Sequence, residues 1–567
     1  MTARGMTNRP GFFDLFTPKL VTVLRERYRL ADLKADAVAG LTVAIVALPL
    51  SMAIAIASGV TPDRGLYTAI VGGFVVSALS GSRFQIGGPA GAFIVLVAAT
   101  VAKHGVDGLL LATLLAGAIL LAIGFLRLGT FIKYIPYPVT VGFTSGIAVI
   151  IFASQLKELL GLTLSGAEPG PFLPKMMALA GALPTISPPA VAVAVASIAI
   201  IVVLRRLRPH WPGFLIAVAA CALATWLLAL PIETIGSRFG GIPRSLPAPH
   251  LPDLSPARIQ EMLPAALSFA LLGGIESLLS AVVADSMSGR RHRSNCELVA
   301  QGAANIASAL FGGICVTGTI ARTATNVRAG ARGPISGMLH ALTLLVFMAV
   351  AAPLAGAIPL ASLAGVLAVV SWNMAEKHEF AILLRASRGD AVVLLVTFLL
   401  VVFRDLTEGI LVGFGIGALL FLHRMAHAVE IDRPVLLAED DQADSTEGAA
   451  HPPIAFGDHD VIVYRITGAF FFGAVGEVAA TLDRIGEHPK AYVLDLSGVP
   501  VLDSTAATMI AGFARDARRH GAAVHIAGAR PAVCRLLMMH GAQPPEVQFR
   551  PSLAEAIANA RQALSTP

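Results

Sequence analysis

A chain of 567 residues with 55% hydrophobic and only 14% charged residues, and a mean hydropathy of +0.74, has too little polar surface for a set of soluble domains, which carry roughly 25% charged residues. Most of it must face lipid, and disorder is excluded for most of its length. The net charge of +6 conceals a division: residues 430–567 hold 11 Lys and Arg against 17 Asp and Glu, whereas residues 1–429 hold 31 against 19. Nucleic-acid binding calls for a basic soluble face, and here the soluble part is acidic.

In chain order, a basic segment (Arg25, Arg27, Arg29, Lys34) precedes the first apolar run. No small-residue cleavage site follows, so the run reads as a retained span and not a signal peptide. Hydropathy and length place spans near 37–57, 64–81, 88–102, 107–127, 138–156, 189–204 and 212–230. A second set follows near 263–284, 296–313, 319–328, 333–352, 358–373, 389–403 and 407–423. A full crossing needs ~20 residues. Loops after even-numbered spans are rich in arginine, among them Arg205, Arg206 and Arg208, and Arg290, Arg291 and Arg293. The positive-inside rule then puts that side, and both termini, in the cytoplasm.

Two segments are too short to cross. After Gly87-Gly88-Pro89, the stretch Ala90–Ala102 would rise only about 20 Å as a helix. Its counterpart follows Thr317-Gly318-Thr319 and ends by Arg328. Short, Gly/Pro-interrupted segments at matching places in two halves point to a substrate site at the midplane. A helix beginning inside the membrane leaves free N–H groups and a positive dipole end there, which suits an anion.

Three of the charges in or near spans of the second set stand out. Glu276, in the eighth span, sits where an ionised carboxylate costs at least ~2.5 kcal/mol. Burial favours its neutral form, so it can take up a proton or help hold a cation; the alternative is a glutamate hydrogen-bonded between helices. Ser280 lies four residues on, on the same face. Arg322 either draws an anion to the tenth segment or pairs with Glu276 or a cytoplasmic carboxylate. Asp285 reads as a helix-end partner of the Arg290–Arg293 cluster. His340 reads as a satisfied packing residue, and Pro49 as a kink in the first span.

Beyond a polar, acidic linker (430–457), the hydrophobic period changes. Val461–Ile466, Ala491–Leu496 and Ala523–Ala527 read as strands, alternating with helices at Glu477–Gly486, after Val501-Leu502-Asp503-Ser504 through Arg519, and at Ala532–Met539. This is the pattern of a small α/β sheet domain, 458–567. No phosphate loop, dinucleotide motif or nucleophile elbow occurs in it. Cys221, Cys296, Cys315 and Cys534 are scattered without a CxxC pair, which argues against a zinc site or disulfide scaffold. No enzyme activity, metal or cofactor is expected.

These residues resemble the SulP-type inorganic anion permeases, the sulfate transporter family related to prestin. The carrying stretches are Val46-Ala47-Leu48-Pro49 with Gly65-Leu66-Tyr67, Gly81-Ser82-Arg83 leading to Gly88-Pro89, Glu276-Ser277-Leu278-Leu279 with Val283-Ala284-Asp285, and Gly318–Asn326. The tail is similar to a STAS domain through Asp495-Leu496-Ser497-Gly498-Val499 and Asp503-Ser504-Thr505-Ala506. The resemblance implies a fourteen-span α-helical membrane protein built of two inverted seven-span repeats (about 37–230 and 263–423 within a transport domain 37–429). It also implies a core and a gate, a homodimer, and a STAS domain with a cytoplasmic partner.

The resemblance implies substrate contacts at Leu50, Ile54, Ala90, Thr319, Ile320, Ala321 and Arg322, and a coupling ion at Glu276 and Ser280. Sodium-dependent relatives carry aspartate and threonine where this chain has Glu276 and Ser280, which favours H⁺ over Na⁺. Ser504 matches a serine phosphorylated in related bacterial regulators; the simpler reading is that it caps its helix. The expected function is proton-coupled symport of sulfate or bicarbonate across the cell membrane. The alternatives are Na⁺ coupling, an uncoupled chloride/bicarbonate exchanger or channel, and a membrane-anchored signalling protein.

Overall fold

The computed structural model describes residues 15–129, 135–166, 168–208, 211–432, 460–476, 478–479 and 489–565. The helix expected over Glu477–Gly486, apart from Val478 and Ala479, lies outside the described residues, as do nearly all of the linker and the first fourteen residues. The chain divides into two compact units, with the boundary after Gly415.

The first unit is helical. Helix α1 is Lys19–Arg25 and α2 Leu30–Ala57, which continues through Pro49. Next come α3 (Pro62–Tyr67), a π-turn (Thr68–Gly72), α4 (Gly73–Leu79) and a two-residue strand β1 (Gly87–Gly88). A 3₁₀ turn, Gly91–Phe93, leads into α5 (Ile94–Phe125). The third and fourth predicted spans are thus one helical run, broken at Gly105 by φ 71° and ψ −174°, a backbone open to glycine.

The first half continues with α6 (Tyr137–Leu160), α7 (Phe172–Gly181), α8 (Pro188–Leu207), α9 (Gly213–Leu227) and α10 (Ile235–Phe239). The second half comprises α11 (Pro256–Ser288), α12 (Ser294–Leu310), β2 (Thr317–Gly318), α13 (Ile320–Arg328) and α14 (Ile335–Ala355). After these follow α15 (Leu360–Met374), α16 (Lys377–Ala386), α17 (Arg388–Phe403) and α18 (Leu406–Ala426). Every one of the fourteen predicted spans therefore falls on helix. Among the described residues, seven helical runs are long and apolar enough to cross a membrane. Helices α1, α7, α10 and α16 were not anticipated; they are short, and no full apolar period marks them.

Packing separates these helices into two sets. One joins α2–α5 with α11–α14; the other joins α6, α8 and α9 with α15 and α17. The first set is held by glycine contacts: a Cβ on Gly117 of α5 would lie 2.7 Å from the Gly302 carbonyl oxygen, and one on Gly302 would lie 2.7 Å from that of Gly117. With lipid as the solvent, such small-residue contacts let backbones approach and replace hydrophobic exclusion as the source of cohesion.

In the second unit, β3 (Glu430–Asp432), β4 (Val461–Thr467), β5 (Ala491–Gly498), β6 (Ala523–Ala527) and β7 (Val547–Arg550) form one sheet in that order. Strand β3 is antiparallel to β4 and the remaining pairs are parallel. Helices α19 (Ser504–Arg519), α20 (Pro531–Met539) and α21 (Leu553–Ser565) complete the unit. Residues 430–432, assigned to the linker from composition, are thus a sheet edge. Three residues cannot show a strand period, so their polarity alone suggested a loop.

A candidate anion site between two half-helices

The two short segments meet head to head. Strand β1 pairs antiparallel with β2, Gly87 opposite Gly318 and Gly88 opposite Thr317. The Thr319 N–H donates to the Ile86 carbonyl at 2.9 Å, and the Ile86 N–H donates to Thr323 Oγ1 at 3.1 Å. Irregular backbone at membrane depth is tolerated only when its polar groups are satisfied by protein, and this ribbon satisfies them. A helix starts from each end. Ala90 (φ −114°, ψ 147°) and Thr319 (φ −101°, ψ 118°) are extended N-cap residues, and neither receives a side-chain cap hydrogen bond. Each helix therefore begins beside the ribbon with first-turn N–H groups uncapped by a side chain.

Helix α11 braces the ribbon. Ser277 Oγ lies 2.8 Å from Thr317 Oγ1 and accepts from the Gly318 N–H at 3.0 Å. Thr317 Oγ1 donates to the Gly273 carbonyl, Gln85 Nε2 to the Ser277 carbonyl, and Ser280 Oγ to Thr323 Oγ1 at 3.1 Å. Ser280 is thus bonded to the tenth segment. Glu276, on the same helix, is buried; among the described residues its carboxyl forms no hydrogen bond or ion pair.

Helix α12 braces it from the other side. Asn305 Oδ1 accepts from the Val316 N–H at 2.9 Å while its Nδ2 donates to the Val316 carbonyl at 2.8 Å. Ser308 Oγ donates to the Ile314 carbonyl, and the Ile314 N–H donates to Thr68 Oγ1. Gln301 Nε2 donates to Glu297, which also accepts from Ser80 Oγ. Glu297, Gln301, Asn305 and Gln85 were not singled out from sequence, and Ser277 and Thr317 were quoted there only within motifs, without a role of their own. The signal was present in the four-residue spacing of Glu297, Gln301 and Asn305, which puts three polar groups on one helix face.

Of the predicted site residues, Leu50, Ile54, Ala90, Thr319 and Arg322 are buried, Ile320 is partly buried and Ala321 is exposed. Arg322 is 1% exposed. Its Nη2 donates to Ser51 Oγ at 3.0 Å and to the Pro89 carbonyl at 3.4 Å, whereas Nε and Nη1 have no partner among the described residues. Gly88 makes room for it: a Cβ there would lie 2.2 Å from Nη1. The expected alternative of an Arg322–Glu276 pair is not formed. The guanidinium instead lies against the first span and the start of the third segment, so its charge adds to two positive helix ends. A Cβ on Gly91 would meet Ile151 Cδ1 of α6 at 3.1 Å and Met374 Sδ of α15 at 3.6 Å. The third segment therefore begins where the two helix sets meet.

Asp285 pairs as expected with the arginine-rich turn, through His292, whose Nδ1 lies 2.7 Å from Oδ2. His340 is buried but not satisfied; among the described residues neither ring nitrogen has a hydrogen-bond partner. In the second unit Asp503, not Ser504, caps α19, its Oδ1 accepting from the Ala506 N–H at 2.9 Å. Ser504 is the exposed first residue of the helix. The aspartate precedes the helix, where its side chain can reach back to the free N–H groups; a residue already helical cannot.

A polytopic helical fold in which two half-helices start from opposite ends of a buried two-stranded ribbon is the architecture of a membrane transporter. The sequence profile of the sulfate permease family matches residues 33–397, and that of the STAS domain residues 453–556. The chain belongs to the sulfate permease family and carries a STAS domain. It is 39% identical over 517 residues to the putative sulfate transporter YvdB of Bacillus subtilis, covering 91% of this chain and 95% of that one. It is 29% identical over 514 residues to the bicarbonate transporter BicA of a Picosynechococcus species, covering 88% and 89%. Its fold matches the inward-facing structure of the murine Solute Carrier 26 family member A9 anion transporter with a TM-score of 0.84 at 18% identity, covering 99% of this chain and 96% of that one. Fourteen spans in two inverted repeats are the architecture this match defines.

Proposed function

We propose that this protein is a proton-coupled symporter of a small inorganic anion, sulfate or bicarbonate, working by alternating access in the cell membrane with both termini cytoplasmic, as a homodimer. The observation that carries the reading is the head-to-head meeting of two half-helices across β1 and β2, with neither N-terminus capped by a side chain. An oxyanion fits such a place because backbone N–H groups and aligned dipoles stabilise negative charge. Similarity to a putative sulfate transporter and to a bicarbonate transporter supports that choice of anions.

Transport then needs the site to face each side in turn. The two helix sets pack mainly within themselves, which suits movement of one against the other, with the ribbon carried in the first set. Glu276 serves as the proton acceptor: buried and without a partner, it is held without the fixed ion pair that would prevent its protonation. Protonation removes a charge that lipid penalises and biases which side is open. Ser280 orients the tenth segment through Thr323. Ser504 serves as a surface for regulation, accessible to a modifying enzyme or a cytoplasmic partner.

Uptake of radiolabelled sulfate and bicarbonate into proteoliposomes, with an imposed pH gradient and with or without sodium, tests this. Uptake should follow an inward proton gradient without sodium, and Glu276→Gln should abolish that dependence while leaving anion exchange measurable. Gradient-driven uptake that survives Glu276→Gln would overturn the coupling role. A sodium requirement would replace the proton as coupling ion, and insensitivity to both gradients would make the protein an exchanger.

A further inference from the structure

We propose that the outer face of the α19–α20 pair in the STAS domain is a docking surface for an anionic phospholipid bilayer. Residues 430–567 are acidic overall, with 11 basic residues against 17 acidic. Between Ser504 and Pro545 the sign reverses: Arg515, Arg518, Arg519, Arg530 and Arg535 face a single carboxylate, Asp516. All five arginines are exposed, and none forms an ion pair among the described residues. Arg515, Arg518 and Arg519 fall at i, i+3 and i+4 on α19, one face of the helix.

The two helices join these charges into one surface. Thr508 of α19 lies 3.3 Å from His540 Nδ1 just beyond α20. A Cβ on Gly541 would come within 3.5 Å of Arg515 Nη1, so that guanidinium lies against the end of α20. On α20, Arg535, Met538 and Met539 share a face by the same spacing. Met539 is 81% exposed and Met538 41%. Flexible apolar side chains standing among unpaired arginines suit an interface where the tip enters hydrocarbon and the charges meet phosphate.

Connectivity selects the bilayer over a soluble acidic partner. Helix α18 ends at Ala426 and β3 begins at Glu430. The three intervening residues span about 10 Å when extended. A bilayer surface is therefore always within reach of the sheet, at the high effective concentration that short tethers impose. The acidic remainder of the domain would be repelled by anionic lipid, so the reversed patch also fixes which face can approach.

The test is hydrogen exchange of peptides covering α19 and α20 in the full-length protein, held in nanodiscs of phosphatidylcholine alone or mixed with phosphatidylglycerol. Severalfold slower exchange of these peptides in phosphatidylglycerol discs is expected, reversed by high salt because the contact is electrostatic. The triple variant R515E/R518E/R519E should lose the protection, and the apolar variant Met539→Ser should weaken it without altering the salt response. Equal exchange in both discs would overturn the proposal. So would protection that appears in phosphatidylcholine discs on adding polyglutamate but not with phosphatidylglycerol, which would assign the patch to an acidic protein. Protection by free inorganic phosphate alone would also overturn it.

Discussion

The charges that matter most in the membrane unit are few, and each is held by particular neighbours. Arg322 keeps two unpartnered nitrogens because Gly88 leaves space and Ser51 supplies one acceptor. Gly88→Ala places a methyl 2.2 Å from Nη1, which the enclosed guanidinium can relieve only by leaving Ser51. The expected outcome is about a tenfold rise in the KM for anion uptake, or roughly 1.4 kcal/mol, with expression unchanged. Ser51→Ala should act in the same direction. Uptake kinetics in proteoliposomes decide it, and an unchanged KM in both variants would separate Arg322 from the anion. In the STAS domain Asp503 holds the cap. Asp503→Ala should cost about 1 kcal/mol, seen as faster hydrogen exchange through Ser504–Arg519, while Ser504→Ala should leave exchange unchanged.

Elements were legible in proportion to the length of their pattern. All fourteen spans fall on helix because ~20 apolar residues are a strong signal, and the two half-helices were marked by Gly and Pro. Strand β3, at three residues, had no period to read. What no local pattern could show is pairing. That Gly87 lies opposite Gly318, and that Asn305 holds Val316 by both its N–H and its carbonyl, depends on contacts between distant parts of the chain. Glu276 could be singled out because a charge among apolar residues is conspicuous. Ser277 and Thr317 could not, since serine and threonine are common in such helices. The α12 face gives a test of this bracing. Asn305→Leu orphans both polar groups of Val316, at about 1–3 kcal/mol each. A lower unfolding temperature in detergent together with loss of anion uptake is expected. Retained uptake with a lowered unfolding temperature would limit Asn305 to stability.

At the scale of the whole molecule, charge is sorted by unit: the membrane unit is basic and the tail acidic. That leaves the tail's own stability open to pH through two groups buried in its sheet. Burial, and next the Arg550 guanidinium, hold the His525 imidazole below its ordinary 6.5. For Asp495, burial works against ionisation, but hydrogen bonds from Ser497 and the Arg465 partner at 2.8 Å outweigh it and keep the carboxyl below the usual 3.8. The sign is the same for both. Each unfolded group takes up its proton at a higher pH than the folded one, so the unfolded state binds more protons as pH falls, and stability drops. The loss begins as pH falls below 6.5, from His525, and resumes below 3.8, from Asp495. Among the described residues neither ring nitrogen of His525 has a hydrogen-bond partner. His525→Leu should therefore leave stability at neutral pH nearly unchanged and flatten the response between pH 6.5 and the carboxylate range. Hydrogen exchange of Ala491–Gly498 and Ala523–Ala527 in the full chain, corrected for the intrinsic pH dependence of exchange, measures both. An identical acid response in His525→Leu would place the sensitivity elsewhere; its loss would make this histidine the group through which mild acidification loosens the STAS sheet.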